Sequence, residues 1–372
     1  MKIALCTPFK ALDNPSVSGD VTIARDLRDA LAGLGHEVVP VPFFPAKEIW
    51  KRPARWLPAY RAMGRMTEAA RGCDAWLTYG SYYKAPDIFG PVCTARLAIP
   101  YAIFQASYAL NRGRKLATWP GFRLNRRAML RADHIFCNRA NDLCGCGRLL
   151  PPERFSPVRP GLPAGLFARD DTAGTRLRRA WGAEHARVVL SAAMMRAGVK
   201  AEGLRWVFRA CADLVRQGRD VVLAVAGDGP CRPELEAEAR ALLGERVHFL
   251  GLVERRELGG FFAAGDLFAF PGLKESVGMV YLEAQRCGLP VVATDDEGAP
   301  MVVAHGRTGL ITGANIEDFT RGVDELVRDP ERCAALAAEA PGYVTNEHDA
   351  QRNYGHVADV LRHLAEARAR QS

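Results

Sequence analysis

The sequence lacks several features that would by themselves assign a protein to a class. None of its apolar runs approaches the roughly 18 uncharged residues of a membrane span. The first run ends at Pro8 and lacks the long apolar core and cleavage site of a secretory signal. The ten cysteines include no Cys-x-x-Cys pair, so the usual zinc-binding spacings are absent. These absences predict a cytoplasmic protein with reduced, mostly buried thiols and no metal site.

Carboxylates are scarce in the first half of the chain. Residues 1–165 hold 24 Lys and Arg against 12 Asp and Glu, whereas the remainder holds 26 against 30. Two basic clusters, 47–65 and 112–131, interleave their cations with aromatic side chains. This pattern suits a solvated basic face, an anionic membrane surface or a phosphate-bearing acceptor. Nucleic acid is not expected, because no reader motif accompanies the charge.

The apolar pattern predicts an α/β protein, and 372 residues suit two domains better than one. A short apolar run over Lys2–Thr7 is followed by helical spacing over Asp20–Leu34, and this alternation continues along the chain. A Pro- and Gly-rich stretch over Pro151–Phe167 interrupts it, and a second series starts at Arg187–Ala193. Alternation of this kind is typical of doubly wound parallel sheets.

We therefore predict two Rossmann-like domains with a cleft between them, and ligands at the carboxyl ends of the strands. Residues 1–160 are expected to form the N-terminal domain and residues 161–345 the C-terminal domain. Residues 346–372 are expected to form a terminal helix that could return to the N-terminal domain.

The most informative segment of the second domain joins a predicted strand to a predicted helix. The strand ends at Phe270, a Pro-Gly turn follows, and the helix is expected to begin near Ser276 or Val277. The free N–H groups and positive dipole of a helix N-terminus can hold a phosphate, and Gly278 would let the backbone approach it closely. Helical spacing places the Glu283 carboxylate on the same face, where it could accept hydrogen bonds from two neighbouring ribose hydroxyls.

This segment resembles glycosyltransferase family 4, the retaining enzymes of glycosyltransferase-B fold. The family pattern Glu-Ser-x-Gly-x-x-x-x-Glu-Ala, followed by Cys-Gly-x-Pro-Val-Val-Ala, is matched from Glu275 to Ala293. Turns at 225–230 and 306–310 are also similar to turns of the family, and the resemblance covers about residues 187–312.

The resemblance implies that these residues hold a nucleotide-sugar donor. Glu275 would contact hydroxyls of the donor sugar, backbone amides at the helix start would bind the distal phosphate, and Glu283 would hold the ribose. In the first domain Ser18 and Gly19 stand where the family usually has two glycines, so the backbone of Gly19 could approach the diphosphate. The expected donor-binding residues are Gly19, Gly227, Asp228, Leu252, Val253, Ser276, Val277, Gly278, Met279, Val280 and Glu283.

The resemblance also implies two cations, Arg196 and Lys200, that neutralise the donor diphosphate. Two cations can offset the charge that develops on this leaving group. No metal cofactor is then required, and the sequence contains no Asp-x-Asp triplet. The candidate catalytic residues are therefore Glu275, Arg196 and Lys200. The spacing of the two cations is shorter than in the family, and a solvated surface lysine is the alternative interpretation of Lys200.

The first domain departs from the family at one position. The family commonly has a histidine after the strand that ends here at Gln105, and this chain has no histidine between residues 37 and 133. The expected substitutes on the acceptor side are Gln105, Ser107 and Tyr108. Their side chains can form hydrogen bonds to a hydroxyl, but Gln and Ser are not general bases at neutral pH.

The sequence thus predicts a retaining, metal-independent hexosyltransferase. It would move a sugar from a nucleoside-diphosphate sugar to an acceptor bound mainly by the first domain. The acceptor candidates are a glycan, a lipid-linked glycan or another anionic molecule of cell-envelope or polysaccharide synthesis, reached at the inner face of a membrane. The alternatives are a nucleotide-sugar-binding protein with weak or lost transfer and a basic, membrane-associated binding protein.

Overall fold

The computed structural model describes residues 1–14 and 19–370, and these residues form two compact units. Unit 1 comprises Met1–Pro163 together with the segment that begins at Ala350, and unit 2 comprises Ala164–Asp349. Each unit is built around its own six-stranded sheet, and every strand pairing in both sheets is parallel.

Unit 1 begins with alternating strands and helices. Its elements up to the edge of the sheet are β1 (Lys2–Cys6), α1 (Gly19–Gly33), β2 (Glu37–Pro40), α2 (Trp56–Ala69), β3 (Ala75–Ser81), α3 (Gly90–Leu97), β4 (Tyr101–Ala106), α4 (Leu110–Gly113), α5 (Trp119–Arg131), β5 (His134–Cys137), α6 (Ala140–Gly147) and β6 (Phe155–Pro157). The strands lie in the order β2-β1-β3-β4-β5-β6. Every residue of β4 is buried, as expected for a strand covered by helices on both faces of a parallel sheet.

Unit 2 repeats this plan. Its elements are α7 (Asp171–Ala180), β7 (Arg187–Ala192), α8 (Val199–Arg216), β8 (Val221–Ala226), α9 (Arg232–Leu243), β9 (Val247–Gly251), α10 (Leu258–Ala263), β10 (Leu267–Ala269), α11 (Met279–Arg286), β11 (Val291–Thr294), α12 (Ala299–Val302), β12 (Gly309–Thr312), α13 (Ile316–Arg328) and α14 (Pro330–Glu347). Its strands lie in the order β12-β11-β10-β7-β8-β9. The order reverses direction between β7 and β10, which is the topological switch point of a Rossmann-like sheet.

Two edge strands lie where the sequence analysis expected none. The segment expected to be a linker contributes β6, whose Pro157 is paired with Cys137 of β5. The later turn contributes β12, which pairs in parallel with β11. Strands of three or four residues are too short to show a period of two in the sequence, so only their pairing partners reveal them.

The final helix of the chain, α15 (Ala350–Ala369), lies in unit 1. Tyr354 is fully buried, and its ring contacts Phe104 of β4 edge to face at 5.8 Å. Its hydroxyl accepts a hydrogen bond from the Gly161 backbone N–H at 3.1 Å. The preceding helix, α14, continues to Glu347, so the terminal element starts four residues later than the expected position 346.

None of the helices found in residues 1–14 and 19–370 is both long enough and apolar enough to cross a bilayer.

Candidate active site

The candidate residues of unit 2 lie in the loops and helices that follow the carboxyl ends of two neighbouring strands. Arg196 and Lys200 follow β7, while Glu275 and Glu283 follow β10. The loops that leave two strands at a switch point diverge to opposite sides of the sheet, and the space between them is the usual ligand site of such a fold. The topology therefore groups residues that are about 80 positions apart in the sequence.

The loop after β10 is held in place by hydrogen bonds to the next strand and loop. Thr294 donates its hydroxyl to the carbonyl of Pro271 at 2.7 Å, and the N–H of Gly298 donates to the carbonyl of Glu275 at 2.8 Å. A Cβ atom at position 298 would lie 2.6 Å from that carbonyl oxygen and 2.8 Å from the backbone nitrogen of Val277. Only glycine permits this approach, so Gly298 fixes the backbone that carries Glu275.

The helix after this loop begins later than expected. The sequence analysis placed its start near Ser276 or Val277, whereas α11 begins at Met279 and Gly278 is its N-cap residue. Gly278 adopts a left-handed φ of 78°, and a Cβ there would lie 2.5 Å from the ring of Tyr281. The tight turn at Gly278 therefore delays the helix.

The start of α11 offers backbone donors to a ligand. Its N-cap residue, Gly278, has no side chain that could cap the helix, and the first N–H groups of a helix have no partner within it. The amides of Met279 and Val280 belong to this first turn, so they remain candidates for an anionic group, as the sequence analysis proposed. Met279 is buried and Val280 is half-buried.

Lys200 and Glu275 form an ion pair across the switch point. Both side chains are partly buried, and the Lys200 ammonium also lies 5.3 Å from the centre of the Phe270 ring. Burial, and to a smaller extent the charge of nearby Arg196, lowers the pKa of Lys200 to about 8. Lys200 is therefore not a solvated surface lysine.

Lys200 lies at the start of a helix. α8 begins at Val199, directly after a left-handed turn at Gly198 with φ of 91°. Lys200 consequently lies in the first helical turn, and Arg196 lies in the preceding loop.

Glu283 contacts a residue that the sequence analysis did not select. An Arg255 nitrogen lies 3.9 Å from the Glu283 carboxylate, and Arg255 also stacks over the Phe167 ring at 5.3 Å. Glu283 is largely buried, with 12% of its side chain exposed. The pair connects α11 with the loop after β9, which also contains Leu252 and Val253.

Leu252 and Val253 differ in their exposure. Leu252 is 57% exposed and Val253 is half-buried. An exposed leucine on a strand-end loop can offer an apolar contact to a ring.

The turn after β8 packs closely against the loop that carries Arg196. Gly227 has a φ of 126°, and a Cβ there would lie 2.0 Å from the carbonyl oxygen of Ala193. The carbonyl of Asp228 accepts a hydrogen bond from the N–H of Met195 at 3.0 Å. Gly227 and Asp228 thus position the Arg196 loop through their backbones.

Unit 1 contributes the remaining predicted residues. Gly19 is the first residue of α1, and a Cβ there would meet no atom within 4 Å, so packing does not require a glycine. Ser18 lies outside the described residues. Gln105 is buried near the end of β4 and adopts a left-handed φ of 66°, a strained conformation that tends to persist at functional sites.

A polar network surrounds Gln105 in unit 1. The Gln105 side-chain oxygen accepts a hydrogen bond from Asn138 at 3.5 Å, and the carbonyl of Ser107 accepts one from Asn125 at 2.8 Å. The Tyr108 ring instead stacks on the Phe122 ring at 5.2 Å. Gln105 and Ser107 are therefore held in a hydrogen-bonded group, whereas Tyr108 is mainly a packing residue.

Two parallel, six-stranded Rossmann-like units in one chain are characteristic of the glycosyltransferase-B fold. A solved structure, Anabaena HepE in complex with UDP, has the same fold with a TM-score of 0.76, 19% identity and coverage of 97% of this chain and 100% of that chain. Residues 186–329 match the family model of the glycosyl transferases group 1.

Two named relatives are more similar to this chain in sequence than HepE is. A GDP-mannose-dependent alpha-(1-6)-phosphatidylinositol monomannoside mannosyltransferase of Mycolicibacterium smegmatis is 32% identical over 227 residues, which are 59% of this chain and 59% of the relative. A D-inositol 3-phosphate glycosyltransferase of Rhodococcus jostii is 33% identical over 56% of this chain and 46% of the relative. The chain thus spans only about half the length of these relatives.

Proposed function

We propose that the protein is a glycosyltransferase that uses a nucleoside-diphosphate sugar as its donor. The observation that carries this proposal is the Lys200–Glu275 ion pair beside the start of α11 at the switch point of unit 2. A cation and free helix amides suit a diphosphate, and the adjacent carboxylate suits sugar hydroxyls. The match of residues 186–329 to the glycosyl transferases group 1 model and the UDP bound in Anabaena HepE support the same donor class.

Different residues of unit 2 bind different parts of the donor. The amides of Gly278, Met279 and Val280 bind the distal phosphate, and Glu283 accepts hydrogen bonds from the ribose. The base lies against Leu252 and the neighbouring Val253. The GDP-mannose named for one relative supports a hexose as the transferred sugar.

We propose transfer with retention and without a metal. The bond between the anomeric carbon and the diphosphate breaks while a new bond forms to the acceptor oxygen on the same face. The acceptor's proton passes to the departing phosphate oxygen, so Gln105 need not act as a base. Arg196 and Lys200 stabilise the charge on the diphosphate, and loss of either should reduce kcat on the order of a hundredfold.

We assign the acceptor to unit 1. Its sequence carries the excess of positive charge, which favours an anionic acceptor such as a lipid-linked or phosphorylated glycan of cell-envelope or polysaccharide synthesis. The names of both relatives contain a phosphate-bearing inositol, which is likewise anionic.

The donor class can be tested by thermal unfolding in the presence of UDP, GDP and ADP and their hexose conjugates. A ligand at about 100 times its dissociation constant stabilises the folded state by about 2.7 kcal/mol. The nucleotides of one base should raise the Tm of the wild type, and they should raise the Tm of the Lys200→Met variant much less. If no nucleotide raises the Tm of the wild type, the assignment of the donor site is wrong.

A second candidate function is nucleotide-sugar binding without efficient transfer. The buried, strained Gln105 at the position of the family's histidine favours it. Donor hydrolysis and transfer to a panel of inositol and glycan acceptors, with Glu275→Ala as the inactive control, distinguish the two. Tight nucleotide binding with turnover no greater than that of the control would support the binding protein.

A further inference from the structure

Unit 1 exposes large apolar side chains at its two basic clusters. Leu116 is 93% exposed, Tyr60 61% and Leu57 59%, and Trp56, Leu110 and Trp119 are also well exposed. These six make up half of the twelve large apolar side chains exposed in residues 1–14 and 19–370, yet they lie in two short segments. Such a concentration differs from the scattered single exposures of ordinary protein surfaces.

The two segments are neighbours in space. A Cβ at Gly121 in α5 would lie 2.4 Å from the ring of Trp50 and 2.1 Å from the carbonyl oxygen of Tyr83. The N–H of Glu48 donates to the carbonyl of Lys84 at 2.6 Å. The chain before α2 is thus packed directly against the start of α5, which places the two basic clusters next to each other.

The same region is strongly cationic. Segment 47–65 holds six Lys or Arg and segment 112–131 holds seven, against a single carboxylate, that of Glu48. Lys51 pairs with that carboxylate at 2.8 Å. Guanidinium groups also lie over exposed aromatic rings: Arg123 lies 5.6 Å from the ring centre of Trp119.

We propose that this basic–apolar surface of unit 1 docks on an anionic membrane. Lys and Arg side chains adsorb to anionic headgroups, while Trp, Tyr and Leu side chains enter the interfacial layer. A soluble anionic glycan would neutralise the same cations, but it would leave Leu116 and Leu57 in water. The exposed aliphatic side chains therefore favour the membrane. This inference concerns unit 1 alone and does not depend on the donor site.

The test is co-sedimentation of the full chain with vesicles, in the absence of any nucleotide sugar. The protein should bind vesicles of phosphatidylcholine mixed with phosphatidylglycerol and not vesicles of phosphatidylcholine alone. Arg114→Gln and Lys115→Gln should each weaken binding about fivefold. Leu116→Ser should weaken it about tenfold, because its side chain no longer enters the bilayer.

Matched substitutions in unit 2 provide the controls. Leu242→Ser removes a leucine of comparable exposure, 49%, and Arg209→Gln removes an exposed cation; neither should change vesicle binding. Far-ultraviolet circular dichroism and thermal unfolding confirm that each variant folds. Absence of binding to the anionic vesicles overturns the proposal. A second result would also overturn it: the charge variants and added heparin weaken vesicle binding, while Leu116→Ser binds as the wild type does. That result would assign the surface to an anionic glycan.

Discussion

The ammonium of Lys200 and the carboxylate of Glu275 form an ion pair although 75 positions separate them in the sequence. The pair joins the first turn of α8 to the loop after β10. Phe270 covers one side of the ammonium at 5.3 Å, which limits its access to water. A diphosphate that binds Lys200 competes with Glu275 for the same cation, so donor binding would release the carboxylate toward the sugar.

The affinity for the donor nucleotide is expected to depend on pH through Lys200. Burial and the nearby Arg196 lower the pKa of Lys200 to about 8, so the ammonium loses its proton as the pH rises through that value. The dissociation constant of the best-binding nucleoside diphosphate, measured by calorimetry, should increase between about pH 7 and pH 9. Lys200→Arg keeps a charge that does not titrate in this range and should remove the dependence. A wild-type constant that is flat across this range contradicts the assignment.

Gly278→Ala should weaken both folding and donor binding. An alanine would have to adopt the left-handed φ of 78°, and its Cβ would lie 2.5 Å from the Tyr281 ring. The strain of a non-glycine residue in this region costs about 1–2 kcal/mol, and displacement of the ring adds to it.

Gly306→Ala is the matched control, since Gly306 has a φ of 72° and no atom near its Cβ position. Urea unfolding should show a greater loss of stability for Gly278→Ala than for Gly306→Ala, and only the former should weaken nucleotide binding. Equal losses in the two variants would mean that the ring contact does not matter.

The strand–turn–helix segment around Glu275 could be identified from the sequence because its information is local. Glu275, Gly278 and Glu283 lie within nine residues of each other, and their role in donor binding stays a prediction. The parallel α/β architecture was confirmed, since alternating strand and helix patterns leave few other solutions.

Contacts between distant segments could not be predicted in this way. The role of Gly298 depends on its approach to the Glu275 carbonyl, and in the sequence it looks like an ordinary turn glycine. Arg255 lies among charged loop residues, with no local feature that identifies Glu283 as its neighbour. The start of α8 depends on the φ of Gly198, which no apolar periodicity reports.

Arg255 is predicted to act as a positioning residue for Glu283. The pair is 3.9 Å apart and Glu283 is largely buried, so removal of the guanidinium would leave the carboxylate less well oriented toward the ribose. Arg255→Met should raise the KM for the donor about tenfold while changing kcat little, because a ribose contact is made equally in the ground and transition states.

Exposed Arg256 offers the matched control, since it pairs at 2.8 Å with Glu254 on the surface. Arg256→Met should leave KM unchanged. Steady-state kinetics measure KM and kcat for the two variants. Donor hydrolysis serves as the readout if no acceptor is found. A fall in kcat at constant KM for Arg255→Met would place Arg255 in the chemical step instead.

Asp266 should matter for the stability of unit 2 and not for donor binding. This residue directly precedes β10, and its carboxylate accepts hydrogen bonds from Arg178, from Arg187 at 3.1 Å and from the N–H of Val188 at 2.7 Å. It thus ties β7 to β10 at their amino ends, opposite the edge that carries Lys200. Asp266→Asn removes the charge that both guanidinium groups share and should cost about 2–3 kcal/mol of unfolding free energy.

The exposed pair between Arg307 and Glu339, 3.2 Å apart, is the comparison for this substitution. Glu339→Gln should cost no more than about 1 kcal/mol, since solvent screens an exposed pair. Urea unfolding measures both losses, and calorimetry on the folded variants measures nucleotide affinity. If Asp266→Asn weakens nucleotide binding at a temperature where the protein remains folded, the contacts of Asp266 at the amino ends of β7 and β10 also influence the donor site. Unchanged affinity with reduced stability is expected, because the loop that holds Glu275 is anchored at the carboxyl end of β10 by the contacts of Thr294 and Gly298.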